Sequence, residues 1–256
     1  MWNRTPAKAE SLRDSGAQAF SDPAEAVRGA TRVHLTLSDD AAVDDVLSRA
    51  ASGFAADVTV FDHTTTSTAG AHRRVDAWAA KGVTYVHAPV FMGPQNALEG
   101  TGLMLVSGDR DVVARVTPVL ATMTGKVVDL GPKVDAAAAF KLLGNCFLMF
   151  LTAGLADMLM LAKAVDVAPE DALSLFQHFN PGATIGARAK RMLDVDAAPS
   201  WELSMARKDA RLILEEVARK ELSLAAVPAI AARMDSLIAE GLGAEDWTVM
   251  ARSALK

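Results

Sequence analysis

A chain of 256 residues, 51% hydrophobic, with a mean hydropathy of +0.19, can bury a substantial core in one or two domains. Its 26 Lys plus Arg stand against 31 Asp plus Glu, and no basic run or basic–aromatic patch occurs, which argues against a nucleic-acid surface. A lone cysteine, Cys146, cannot form an internal disulfide, and the opening MWNRTPAKAE lacks the apolar region of a secretion signal, so a reducing cytoplasm is expected. The five histidines, His34, His63, His72, His87 and His178, have no metal-ligand spacing, and no metal site is expected.

In chain order, Thr5 before Pro6 predicts a helix start with Thr5 as N-cap, closed by Gly16. Asp22, Pro23 and Glu25 open a short second helix that Gly29 ends, and residues 31–37 read as a strand. Ser38 is expected to cap a helix over 39–48. A strand at 57–61, a threonine-rich loop at 64–68, a helix ending at Lys81 and Gly82 and a strand at 83–87 follow. A strand at 103–106, a helix at 111–123 and a strand at 126–130 complete this half. Strands alternating with helices predict a doubly wound, largely parallel α/β sheet covered on both faces.

After Pro132 the pattern turns to helix alone: first a long element over 136–164, then helices at 169–178, 184–193, 202–220, 227–240 and 245–255. The expected organisation is an α/β domain over 1–132 and an all-α domain over 133–256. The long element is apolar nearly all round, so it is expected to be buried. Lys141, Asn145, Asp157 and Lys163 interrupt it, and the run between Asn145 and Asp157 is too short to cross a bilayer, so no membrane span is expected. Lys141 and Asn145 lie one turn apart on one helix face. Either Lys141 is a desolvated lysine whose pKa falls into the range of an acid–base group, or it snorkels to water near the helix start.

These pieces resemble the β-hydroxyacid dehydrogenase family, whose members include 3-hydroxyisobutyrate dehydrogenase and glyoxylate or tartronate semialdehyde reductases. The resemblance runs over essentially the whole chain, through Asn3-Arg4-Thr5, Leu37-Ser38, Asp62-His63-Thr64-Thr65, Ala88-Pro89-Val90 with Gly93, Lys141 with Asn145, and Lys208-Asp209. It implies a Rossmann-type domain binding NADP, with NAD as the alternative, through Asn3, Arg4, Thr5, Leu37, Ser38, Thr65 and Lys208. Arg4 suits a 2′-phosphate. It also implies substrate contacts from Thr65, Gly93 and Asn145, hydride transfer between nicotinamide and a hydroxy or carbonyl compound, Lys141 as general acid and base, and a homodimer built on the helical half. Read without the resemblance, Arg4 is an exposed charge, Thr64 to Thr66 a helix-capping loop, and Lys208-Asp209 a solvated pair.

The sequence departs from that family in three places. No G-x-G-x-x-G occurs, and the first residues align with the end of the family's second strand, so the sheet is expected to lack its first strand and glycine-rich turn. Loss of that strand is expected to part residues 31–37 from 57–61 and to leave unpaired, unstable edges, the result of a start set downstream of the true one. Phe91-Met92-Gly93-Pro94 stands where the family commonly reads Ser-Gly-Gly, which implies a larger or less polar substrate. Asp135 and Ala137 replace glycines often found before the lysine. Two other readings remain: a catalytically silent homologue serving as a helical dimerisation or binding protein, and an imine reductase-like enzyme, although that related group usually carries a residue other than lysine at position 141.

Overall fold

A computed structural model of the chain describes residues 1–194 and 198–255. It divides into two compact units, Met1–Cys146 and Phe147–Lys256. The first opens with α1 (Pro6–Glu10), a 3-10 turn at Arg13–Ser15 and α2 (Pro23–Val27). Helix α1 begins where Pro6 permits, but Thr5 makes no side-chain cap bond; Asn3 Oδ1 instead accepts from the Thr5 N–H at 2.9 Å. Gly16 then closes the segment in the left-handed region, with φ of 85°. Asp22 caps α2 as expected, accepting from the Ala24 N–H.

Three parallel strands follow in spatial order β1 (Arg32–Leu35), β2 (Thr59–Asp62) and β3 (Thr84–His87), joined by crossovers through α3 (Asp40–Ala50) and α4 (Thr68–Ala79). The cap of α3 is Asp39 rather than Ser38. Its carboxylate accepts from the Ala42 N–H at 2.8 Å, where a negative charge suits the helix N-terminus, and Ser38 Oγ donates to its other oxygen. Alternation along the strands sorts the core. Val60 and Tyr85 pack with Val33, Leu35, Leu47 and Trp78, while Phe61 and Val86 pack with Met104, Val106, Val113 and Leu120.

The expected separation of residues 31–37 from 57–61 does not occur: Val33 pairs directly with Val60, and β1 is left unpaired on its other side. The remaining strands form a second group, β4 (Val90–Phe91), β5 (Leu103–Val106) and β6 (Lys126–Asp129), with β4 antiparallel to β5 and β5 parallel to β6. Neither β4 nor the helix after it, α5 (Pro94–Glu99), was expected, because both are short and are separated only by Met92 and Gly93. Helix α6 (Arg110–Leu120) links β5 to β6.

Helix α7 spans Ala136–Ala164, the bounds expected from sequence. The compact units divide inside it, after Cys146, rather than at Pro132, because its first turns belong to the α/β unit. Ser107 Oγ, just beyond β5, accepts from the Ala137 N–H at 3.0 Å and donates to the Val134 carbonyl at 3.1 Å. The expectation that α7 is buried fails within a single chain. Phe140, Leu143, Phe147, Leu148 and Phe150 are exposed, Met149 is 70% exposed, and Cys146 is exposed beside them. Length and hydropathy alone would let α7 cross a bilayer.

In the second unit α8 (Pro169–Ser174) and α9 (Ile185–Leu193) precede α10 (Leu203–Ala218) and α11 (Val227–Ala239), which pack through Leu203, Ala206, Ala210, Ala231, Met234 and Leu237. The last expected helix is a 3-10 segment, Trp247–Ala254, opened by Asp246, whose carboxylate accepts from the Thr248 N–H. Asp157 of α7 is buried and accepts from the N–H groups of Ala225, Ala226 and Val227 at 2.6, 2.8 and 2.9 Å, covering the start of α11.

Candidate active site

The carboxyl ends of parallel strands are where an α/β sheet presents its loops to ligands, and the first unit gathers polar groups at that edge. Asp62, the last residue of β2, accepts from the Tyr85 hydroxyl at 2.5 Å and from the Thr64 N–H at 2.9 Å. Thr64 Oγ1 in turn accepts from the Leu37 N–H at 3.0 Å, so the loop after β2 holds the loop after β1. Thr65 is half-buried between these fixed neighbours.

Sequence spacing gave no hint that three of the histidines meet here. His63 Nδ1 lies 2.7 Å from the Ala88 carbonyl and donates to it, which leaves Nε2 as acceptor for His34 Nδ1 at 3.0 Å. His87 Nε2 donates to the Thr64 carbonyl at 2.9 Å, and its buried Nδ1 has no partner. Burial holds all three below the usual histidine value, His34 down to about 4 with a further push from His63, so at neutral pH the cluster is uncharged. It is a neutral wall. No metal-binding group of His, Cys, Asp or Glu occurs among the described residues.

A groove of about 640 Å³ runs along the free side of β1. Five of the residues expected at a cofactor, Asn3, Arg4, Thr5, Leu37 and Ser38, line it together, although they come from two separate stretches. Arg4, Lys8, Arg32 and Arg49 give the lining an excess of positive charge over its one carboxylate, Asp45. Such a donor set suits a phosphate-bearing dinucleotide with an additional phosphate on the ribose.

Lys141 is the second centre of the unit. Its side chain is 8% exposed, its Nζ donates to Asn145 Oδ1 at 3.0 Å, and the same nitrogen stands 4.0 Å from the centroid of the Phe91 ring. The snorkelling alternative is thereby removed. Burial pushes the ammonium below the usual lysine range. Gly93 is exposed at the start of α5, and its N–H already donates to Asn96 Oδ1 at 2.9 Å. Lys208, on α10 of the second unit, is exposed and paired with Asp209 at 2.9 Å.

Comparison with known proteins follows the same outline. Residues 1–131 match the family described as the NAD binding domain of 6-phosphogluconate dehydrogenase. Among curated relatives, the 3-sulfolactaldehyde reductase of Escherichia coli is 24% identical over 93% of this chain and 82% of its own length. The 2-(hydroxymethyl)glutarate dehydrogenase of Eubacterium barkeri is 24% identical over 92% of this chain and 79% of its own length. Among solved structures, the imine reductase of Myxococcus stipitatus in complex with NADP+ superposes with a TM-score of 0.88 at 19% identity, over 98% of this chain and 89% of that one. At that identity the likeness is one of fold.

Proposed function

Because this chain belongs to the family of the NAD binding domain of 6-phosphogluconate dehydrogenase, an NAD(P)-dependent oxidoreductase family with relatives named as reductases and dehydrogenases, we propose that it reduces a carbonyl compound, or oxidises the matching alcohol, with Lys141 as the proton carrier. The observation that carries this reading is a buried lysine whose Nζ is bonded to a neutral amide one turn away on the same helix. A lysine shifted downward by burial both gives and takes a proton more readily near neutral pH than an exposed one. Asn145 fixes the nitrogen and offers its own amide N–H to a substrate oxygen.

NADP(H), when bound, supplies the hydride for the reacting carbon. Asn3, Arg4 and Thr5 on one wall of the groove and Leu37 and Ser38 on the other are the residues that would hold it. Arg4 favours the 2′-phosphate of NADP over the bare ribose of NAD. Thr65, fixed by its bonded neighbours, is assigned to the nicotinamide and substrate end, and Lys208 to closing over the cofactor.

Replacing Lys141 with Ala tests the reading. Turnover is expected to fall about 10²- to 10⁴-fold with NADPH affinity retained, whereas unchanged turnover would end the acid–base assignment. The exposed face of α7 supports a homodimer as well, since Phe140, Leu143, Phe147, Met149 and Phe150 form more apolar surface than a soluble chain leaves open. Light scattering should report a dimer and Met149→Glu a monomer; a monomeric parent would remove the assignment. The lone free thiol fits a cytoplasmic setting.

A further inference from the structure

Phe91 and Met92 stand where the resembled family commonly has small residues, and their side chains go different ways. Met92 lies over Gly102, where an added Cβ would stand 2.7 Å from Met92 Cγ. Phe91 is turned toward α7. An added Cβ on Gly144 would stand 2.3 Å from Phe91 Cζ, so the tip of the ring occupies a notch that exists because residue 144 has no side chain. The backbone of Phe91 is fixed by pairing with Leu103 in β5. Its ring face is therefore held in place from both ends, and Lys141 Nζ lies over it at 4.0 Å.

We propose that Phe91 is a positioning residue for Lys141: its ring face seats the ammonium group above α7 and favours the protonated form that donates to substrate oxygen. The proposal rests on the acid–base reading of Lys141 and names what supports that group. A cation over an aromatic face is attracted by the ring quadrupole, the more so when water is excluded. Burial pulls the other way and disfavours the charge. Among the described residues, no charged group acts on Lys141 strongly enough to register beside burial. Strand β4 consists of Val90 and Phe91, Asn145 is neutral, and the carboxylate of Asp135, nearer the start of α7, is paired with Lys133 at 3.5 Å. The ring and the Asn145 amide oxygen are thus the two features of this surround that favour the ammonium.

The test replaces Phe91 with a series of progressively fluorinated phenylalanines, which weaken and then reverse the ring quadrupole with little change of shape. In cofactor-free protein the Lys141 pKa is read from the pH dependence of its reaction with an amine-directed reagent, measured on the Lys141 peptide by mass spectrometry. Across the series it is expected to fall stepwise by about half a unit to one unit, and Phe91→Leu, which keeps apolar bulk without the ring, should fall with it while Phe91→Trp does not. The basic limb of the kcat profile should move by the same amount. A flat pKa across the fluorinated series overturns the proposal, even if turnover drops. A falling pKa with an unmoved kcat limb supports the seat for the ammonium and instead rejects Lys141 as the acid.

Discussion

Helix α7 buries two charged side chains, Lys141 and Asp157, and settles them in opposite ways. Asp157 accepts three backbone N–H bonds at the start of α11, whereas Lys141 has one amide oxygen and an aromatic face. Desolvation alone would raise the Asp157 pKa, yet the three backbone bonds outweigh it and hold the carboxyl below its usual value. For Lys141 burial is the one influence that registers, and the charge is left poorly compensated. A charge with all its bonds made is structural; one with bonds to spare can still exchange a proton.

Asp157→Ala should have the largest effect on folding, about 2–4 kcal/mol in denaturant titration, because three N–H groups lose a charged acceptor. A loss under about 0.5 kcal/mol would show that water replaces the carboxylate at no cost. Asp157→Asn keeps one acceptor oxygen and should cost less, about 1–2 kcal/mol. Since the folded Asp157 pKa is depressed, its contribution is fully present above the unfolded value near 3.9 and is lost as pH falls through the lower folded value. The acid limb of the stability curve should flatten in Asp157→Asn.

Lys141 should respond with the opposite sign. Lys141→Met removes a desolvated charge and keeps the volume, so a gain of about 1 kcal/mol at pH 7 is expected alongside the loss of turnover. A lysine depressed in the folded state makes the parent more stable as pH rises from the folded pKa toward about 10.4. The advantage of Lys141→Met should therefore shrink over that window. A destabilised Lys141→Met at neutral pH would mean that the bond to Asn145 and the ring outweigh the cost of burial.

Local chemistry made much of the fold readable. The bounds of α7 and of β5 follow from proline-free stretches rich in apolar residues, and the αβ alternation from short strands set between helical segments that Gly16, Gly29 and Gly82 close. What escaped was set by distance or by competition between neighbours. Ser38 and Asp39 both can cap, and the carboxylate wins at a helix N-terminus. His34, His63 and His87 meet only because three strands pair in register, which no spacing along the chain discloses. The pattern of α7 demands that its apolar face be covered but carries no statement of what covers it. For the candidate site, Lys141 with Asn145 and the five groove residues were each visible as types, while the ring of Phe91 over Nζ required β4, a strand too short to read.

The notch at residue 144 links two positions that lie far apart in the chain. A methyl group there and a phenyl ring at 91 claim the same space, so neither site is free to drift alone. Descendants of this chain that acquire a side chain at one must first shed bulk at the other, and the order of those two steps decides whether the intermediate keeps its lysine in place.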